Sequence, residues 1–182
     1  MEGNPNEVLS LDEIIKNKIE IVNLLKSTKR EGIDKVIKFL NDSGYFFLYG
    51  SFKHHVYKGG LAEHSLGVCK RSLNNNVSCD RDSVIIASLL HDICKTRHED
   101  IINSEEYHGH GRKSVKILEE YIGFKLTDEE RTAIDSHMHG SAKDGNDCEL
   151  HRLIHVSDCE DAGNYDEVSG KILRTTMNLL NL

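Results

Sequence analysis

The sequence predicts an all-α protein, a compact single-domain bundle of about seven or eight helices. The chain has one Pro in 182 residues, and apolar residues recur at helical spacing along most of its length. Residues 10–13 (Ser-Leu-Asp-Glu) and 127–130 (Thr-Asp-Glu-Glu) each have the pattern of a capping box at a helix start. With 38% hydrophobic and 29% charged residues, the composition is ordinary for a folded globular domain.

Residues 1–53 are predicted to contain two helices that pack on the core, after a loose leader over residues 1–9. The first capping box opens a helix over 11–28, and residues 33–42 place their apolar side chains on one face of a second. Gly44 is positioned to end that second helix. Neither helix carries side chains that indicate chemistry.

The segment over residues 45–60 favours neither a strand nor a loop, because aromatic residues are followed by Gly and His. A third helix is predicted over 61–74. Its residue His64 shares a face with Leu61 and Val68, so the imidazole should point into the core.

The remaining helices are predicted over 80–95, from about 110 to 122, over 127–138, over 149–161 and over 165–180. The last of them makes residues 163–182 a C-terminal helix outside the central part of the chain. In the helix that follows residue 110, the residues expected to face inward are Val115, Leu118, Tyr121 and Ile122, with Gly123 just past the end.

One stretch stands out because an apolar run over residues 84–90 ends abruptly in His91 and Asp92, followed by Lys95. Buried without partners, such polar groups would each cost on the order of 1–3 kcal/mol. A metal ion is the simplest partner that would satisfy the imidazole and the carboxylate together. The stretch therefore predicts a metal site at the end of a buried helix.

Other side chains of the types that bind metals, here called metal-type residues, lie near apolar faces. They are His64, His110, His137 and Asp158. Taken singly, each is more often a hydrogen-bonded core residue or a helix cap. All six together favour a metal centre of the Mn, Fe, Co, Ni, Zn or Mg type, rather than a structural zinc site built from thiolates. Two His and two Asp can fill most of one octahedron, and two further His sharing Asp92 could hold a second ion about 3.5–4 Å away.

These residues carry a resemblance to a known family. The segments HVYKGGLAEHSL (residues 55–66), LLHDICK (89–95) and LTDEE (126–130, leading to His137) occur in order with the six metal-type residues. Over residues 54–162 the chain resembles the HD-domain metal-dependent phosphohydrolase superfamily. The resemblance implies an all-helical core that hydrolyses phosphate esters by means of a metal-activated water.

Carried over position by position, the resemblance implies that the first ion is held by His64, His91, Asp92 and Asp158. Asp92 would also bridge to a second ion held by His110 and His137. Lys95 occupies the position where a His-Asp-x-x-Lys member contacts the substrate phosphate, so Asp92 and Lys95 are the predicted catalytic residues. Cys94 stands where many relatives have Gly, and we interpret it as a neutral replacement.

Several alternatives stay open. His108 competes with His110, and His139 is a possible substitute for His137. His54 and His55 are expected to line the pocket or orient the ligands rather than bind metal. Side chains that could contact phosphate, or simply face solvent, are Arg112, Lys113, Lys143 and Arg152.

The predicted substrate is a small phosphorylated molecule, by resemblance a nucleotide or a nucleotide-like compound. A net charge of −7 disfavours long nucleic acid, which requires clustered Lys and Arg. Two alternatives remain: a phosphodiesterase or exonuclease acting on short RNA or DNA, because the Gly-Gly-Leu-x-x-His-Ser segment resembles such members, and a non-catalytic metal-binding or nucleotide-binding module.

Five Cys without a C-x-x-C pair are typical of reduced thiols, which predicts a cytoplasmic protein. No signal peptide and no apolar run long enough to span a bilayer is apparent in the sequence, so no membrane association is predicted. The sequence makes no prediction about the oligomeric state.

Overall fold

The computed structural model describes residues 9–51, 54–76, 78–96, 109–140, 147–163, 165–166 and 171–172. Within them lie seven α-helices: α1 (Leu11–Ser27), α2 (Ile33–Asp42), α3 (Gly60–Asn75), α4 (Arg81–Leu90), α5 (His110–Lys116), α6 (Asp128–Ser136) and α7 (Glu149–Asp161). Short 3₁₀ turns occur at Tyr45–Phe47 and Ile93–Thr96. The predicted all-α class is confirmed.

Both predicted capping boxes are present. In α1 the Ser10 hydroxyl accepts from the Glu13 backbone N–H at 3.3 Å, and Glu13 accepts from the Ser10 N–H at 2.9 Å. Thr127 and Glu130 make the same reciprocal pair at the start of α6. Because these bonds satisfy backbone donors that a helix leaves free, they fix where each helix begins.

The helix α1 buries a narrower face than its pattern predicts. Ile14, Ile21 and Leu25 are buried, whereas Leu11, Ile15 and Ile19 are exposed. The next helix, α2, ends as predicted before Gly44, which adopts a left-handed backbone conformation at φ 73°. The following segment, for which no prediction was possible, begins with a 3₁₀ turn, and its other described residues up to α3 form no helix or strand.

The helix α4 is buried on every side, since all its residues from Ser83 to Leu90 are inaccessible to solvent. It packs against α1, α3, α6 and α7. The prediction that it continues to residue 95 is wrong, because the α-helix ends at Leu90. His91 and Asp92 follow in a turn, where the His91 ring bonds to a carbonyl of the preceding helical turn. A side chain that satisfies a terminal carbonyl helps to end a helix.

The helix α5 continues into one π-helical turn at Ile117–Tyr121, closed by a bond of 2.9 Å from the Ile122 N–H to the Ile117 carbonyl. The wider turn changes the angular spacing of the side chains within it. There Tyr121, predicted to face inward, is 54% exposed, while Ile117 and Leu118 are buried. Gly123 ends the segment as predicted, at φ 71°.

The helix predicted over 149–161 has the same bounds as α7. The predicted helix over 165–180 is wrong where the structure describes it, because β1 (Tyr165–Asp166) and β2 (Lys171–Ile172) form a short antiparallel pair. The other residues of that prediction lie outside the described part of the chain. Among the described residues, no helix has the length and apolarity needed to cross a bilayer.

Two glycines allow helices to approach closely around the site. A Cβ at Gly111 of α5 would lie 2.1 Å from the Ile134 carbonyl of α6. A Cβ at Gly67 of α3 would lie 2.1 Å from an Asp161 carboxylate oxygen of α7. Real Cβ atoms essentially never make such contacts. At Gly111 the clash is with the backbone, so only Gly fits, whereas at Gly67 the Asp161 side chain would have to move.

Candidate metal centre

The structure brings all seven predicted site residues together. His64 lies in the middle of α3, and His91 and Asp92 directly follow α4. The others are supplied by four further segments: Lys95 by the 3₁₀ turn, His110 by the first position of α5, His137 by the residue after α6, and Asp158 by α7. Residues remote in sequence therefore converge at one place in the core.

The carboxylate of Asp92 lies at the centre of this group. Its Oδ1 is 2.6 Å from His110 Nε2 and 3.6 Å from His137 Nε2. Its Oδ2 is 3.6 Å from His91 Nε2 and 4.0 Å from His64 Nε2. Each carboxylate oxygen thus faces a different pair of imidazoles.

Two of the imidazoles are oriented by the ends of their own helices. His91 Nδ1 lies 2.7 Å from the Ser88 carbonyl, and His137 Nδ1 lies 2.7 Å from the Ile134 carbonyl, three residues back in each case. A carbonyl oxygen only accepts hydrogen bonds, so each Nδ1 carries the proton. The Nε2 lone pair is left available, as in histidines that bind metals.

His64 is oriented by a carboxylate on α7. Its Nδ1 lies 2.8 Å from Asp161 Oδ2, while its Nε2 lies 3.0 Å from Asp158 Oδ1. Asp161 is held in turn by Arg71 of α3, whose Nε donates to Asp161 Oδ1 at 3.3 Å. This carboxylate–histidine pair resembles those that set the basicity of a metal ligand.

The buried Nε2 atoms of His91 and His137 make no hydrogen bond, and the Nε2 of His64 has its ion pair with Asp158. Buried polar atoms left without partners cost about 1–3 kcal/mol each. These three nitrogens lie around the Asp92 carboxylate, and Asp158 Oδ1 lies 3.8 Å from His91 Nε2. A divalent cation would satisfy all of these atoms at once, so the donor set fits the predicted metal.

The two carboxylates of the centre stay ionised. Burial alone would raise the pKa of Asp158, but the adjacent His64 and His91 hold that pKa well below its usual range. Burial also opposes ionisation of Asp92, yet His91 and Lys95 keep its pKa well below the ordinary value. Ionised oxygen ligands are what a hard or borderline divalent cation needs.

The imidazoles differ in how strongly they hold protons. Burial lowers the pKa of His64, but the two carboxylates that flank it on α7 prevail and raise it to about 9. For His110, burial is likewise outweighed by the bond to Asp92, and the pKa is raised to about 10. Burial dominates at His91 and lowers its pKa to about 4. An ion entering the centre must therefore displace protons from two of the rings.

Among the described residues, the close groups of potential ligands include two that match the predicted set. These groups are His64 with His91 and Asp92, and His91 with His137 and Asp158. A third group joins Asp92 and His110 to Cys94, whose thiol was interpreted from the sequence as a neutral replacement. The atoms within each group lie within 4.8 Å of one another.

The sequence analysis missed Asp161 and two histidines of α7. Asp161 lies one helical turn after Asp158, which was the available signal. His155 Nδ1 lies 2.6 Å from the His137 carbonyl, and His151 Nε2 lies 3.1 Å from the Ser136 carbonyl. These two rings therefore satisfy carbonyls at the C-terminal end of α6, where His137 lies.

The open alternatives have the following outcomes. His139 is half-buried and belongs to none of the close ligand groups, while His108 lies outside the described residues. His54 and His55 stack near His64, with ring centroids 4.7 and 5.2 Å from it, and His55 Nε2 is 3.6 Å from Asp161 Oδ2. The pair thus borders the centre on the α3 side.

An open pocket of about 340 Å³ lies on the other side of the centre, and it is lined by Cys94, Lys95, Gly109, His110 and Lys113. Among the other candidates for phosphate contact, Arg112 pairs with Asp135 at 3.2 Å and Arg152 is exposed to solvent. Lys143 lies outside the described residues. The pocket therefore presents two ammonium groups beside the metal-type ligands.

A family model of the HD domain matches residues 61–163, more than half of the chain. The chain belongs to this family, whose members are in general metal-dependent phosphohydrolases that bind divalent metal ions. No curated protein and no solved structure is significantly similar to the chain. The matched segment begins at the N-terminal end of α3 and ends just after α7, so it includes every residue of the centre described above.

Proposed function

We propose that the protein hydrolyses a phosphate ester bond of a nucleotide or a nucleotide-like small molecule at a centre of two divalent ions. The observation that carries this proposal is the position of Asp92, whose oxygens face His64 and His91 on one side and His110 and His137 on the other. A first ion would be held by His64, His91, Asp92 and Asp158, and a second by Asp92, His110 and His137.

When bound, such a pair of ions lowers the pKa of a water and neutralises phosphoryl oxygens from both sides. The protein contributes rigid ligands, because the His91 and His137 rings are fixed by carbonyls of their own helices. Asp92 would be a ligand of both ions. Ligands that need no rearrangement during the reaction are the basis of electrostatic preorganisation.

Lys95 would bind the phosphoryl group. Its ammonium contacts Asp92 Oδ2, and its side chain is 17% exposed at the edge of the pocket. From that position it can donate to a phosphoryl oxygen and stabilise the charge that builds up there. Lys113, in the same pocket, is available for a second phosphate contact.

A small substrate is favoured by the pocket and by the charge of the protein. The pocket volume of about 340 Å³ is at the lower end of the range for small-molecule sites. The two lysines of the pocket belong to a chain with a net charge of −7, which disfavours a long polyanion. Local positive charge within an acidic protein suits a short phosphorylated ligand.

A hydrolysis assay over a panel of nucleotides and short oligonucleotides, with Mn, Co, Ni, Zn and Mg supplied separately, tests the proposal. We expect release of phosphate or of a nucleoside product from at least one mononucleotide. Faster cleavage of oligonucleotides, with a steep dependence on salt, would indicate a nuclease instead. Stoichiometric metal binding without hydrolysis of any substrate would indicate a non-catalytic binding module.

A further inference from the structure

A cysteine thiol lies beside the ligands proposed for the second ion. Cys94 is buried, with 7% of its surface exposed, and its sulfur lies within 4.8 Å of ligand atoms of Asp92 and His110. Among the described residues, Cys94 is the one cysteine that belongs to a close group of potential metal ligands. The other four cysteines lie elsewhere in the fold.

The backbone holds Cys94 against the helix that supplies His110. The Cys94 N–H donates to Ser114 Oγ at 3.2 Å, and Ser114 Oγ donates to the His110 carbonyl at 3.4 Å. Ser114 is fully buried in the middle of α5. This chain of bonds fixes the 3₁₀ turn that carries Cys94 relative to the first turn of α5, so the thiol stays beside the His110 ring.

A second observation points to a cation in the same space. His137 Nε2 is buried and makes no hydrogen bond, and it lies 3.6 Å from the Asp92 oxygen that His110 also faces. Two imidazole nitrogens thus face this carboxylate oxygen, and the Cys94 sulfur belongs to the close group of Asp92 and His110. Together they are four potential ligand atoms of three chemical types. Zinc-type ions are commonly bound by four such ligands at about 2.0–2.3 Å.

We propose that Cys94 Sγ is a ligand of the second ion, together with Asp92, His110 and His137. The thiol loses its proton to solvent as the ion binds, since only the thiolate is a metal ligand. A thiolate selects borderline and soft ions, so this position favours Zn²⁺, Fe²⁺ or Co²⁺ over Mg²⁺ and Mn²⁺. The inference rests on the proposed two-ion centre and adds the identity of one ligand and the class of metal.

X-ray absorption at the zinc edge of the zinc-loaded protein tests the proposal directly. We expect one sulfur for each pair of zinc ions, at about 2.3 Å, beside nitrogen and oxygen ligands at about 2.0–2.1 Å. The sulfur contribution should vanish in Cys94→Ser and Cys94→Ala and persist in Cys79→Ser, a control at a half-buried cysteine between α3 and α4.

Titration with zinc and with magnesium gives a second readout. Loss of the thiolate should weaken one of the two zinc sites by about tenfold or more while leaving magnesium affinity nearly unchanged. A wild-type spectrum with two zinc ions and only nitrogen and oxygen ligands would overturn the role of Cys94 and leave the two-ion centre intact. Failure of the wild-type protein to bind any divalent ion would overturn both proposals.

Discussion

Asp92 is the residue on which the geometry of the site depends most, because its two oxygens face separate pairs of imidazoles. Lys95 adds a positive charge beside one of those oxygens. Each of the other proposed metal ligands is assigned to one ion only. At the scale of single residues, side chains proposed to hold metal, to bind substrate and to orient a ligand should respond differently to replacement.

Replacing Lys95 by Ala should reduce turnover without removing the ions. The ammonium is proposed to stabilise phosphoryl charge, and loss of one such donor typically lowers kcat by about 10²–10³-fold. Metal content measured by mass spectrometry should stay that of the wild type. Lys70→Ala, which removes an exposed ammonium paired with Glu20, serves as the control. Unchanged kcat in Lys95→Ala would exclude Lys95 from the reaction.

Gly67→Ala tests the orienting role of Asp161. The new Cβ would lie 2.1 Å from Asp161 Oδ1, so the carboxylate must move away from His64. Loss of such an outer carboxylate typically weakens metal binding by about 10–100-fold. Asp161→Ala should weaken the affinity for the first ion to a similar extent. Wild-type metal affinity in both variants would show that His64 does not need this partner.

Metal affinity should rise with pH. The pKa of His64 is raised to about 9 and that of His110 to about 10, so both rings are protonated at neutral pH. Each ion must displace one of these protons, and each displaced proton makes affinity rise by about tenfold per pH unit below pH 9. Calorimetric titrations at pH 6, 7 and 8 measure the slope. An affinity independent of pH would contradict this proton competition.

At the scale of elements, the helix ends place the chemistry. The helices α4 and α6 both stop at the residue before a metal-type His, and in each case the ring satisfies a carbonyl of the last turn. On α7, His151 and His155 satisfy further carbonyls at the end of α6. The same bonds therefore end the helices and orient the imidazoles.

The start of α6 is tied to the rest of the bundle through Glu130. Its buried carboxylate accepts from Arg30 at 2.6 Å, from Ser83 of α4 at 2.8 Å and from the Thr127 N–H at 2.9 Å. Removing one partner of a buried ion pair typically costs about 3–5 kcal/mol. Glu130→Ala should therefore lower the free energy of unfolding by about 3 kcal/mol or more, as measured by urea denaturation.

The matched control for Glu130 is the exposed pair of Lys38 and Asp42 on α2. Exposed pairs of this kind contribute little to stability, because solvent screens both charges. Lys38→Ala should therefore change the unfolding free energy very little. Equal effects of Glu130→Ala and Lys38→Ala would contradict the structural role assigned to the buried cap.

Much of this organisation was predictable from local patterns. Capping boxes predicted the starts of α1 and α6, and Gly44 predicted the end of α2, because the stereochemistry of those positions is local. The end of α4 and the π-helical turn at Ile117–Tyr121 were missed, because side-chain bonds and an inserted residue leave the apolar spacing unchanged. A helix was also predicted where β1 and β2 pair.

The site was predictable to a similar degree. The apolar run before His91 and the ordered series of His and Asp brought the metal-type residues into one hypothesis, and the structure places them together. Asp161 was missed because an acidic residue near a helix end is usually solvated. The position of the Cys94 thiol beside His110 depends on the packing of two segments, which the sequence does not encode locally.

At the scale of the whole molecule, α4 is the buried central helix, and Asp92 follows its C-terminal end. The segment before residue 61 lies outside the matched HD segment, and it also supports α4, since the Tyr45 hydroxyl of the 3₁₀ turn donates to the Leu89 carbonyl at 3.1 Å. With α3, α6 and α7 packed around α4, the ligands are supplied by rigid elements. The pocket with its lysines opens beside them.

The central claim is that Asp92 bridges two ions, and manganese binding measured by electron paramagnetic resonance tests it most directly. We predict two Mn²⁺ ions per chain with a spin-coupled signal in the wild-type protein and in Asp42→Ala, which lacks only an exposed carboxylate. In Asp92→Ala, metal binding and hydrolysis should be lost together. Two coupled ions retained in Asp92→Ala would contradict the bridge.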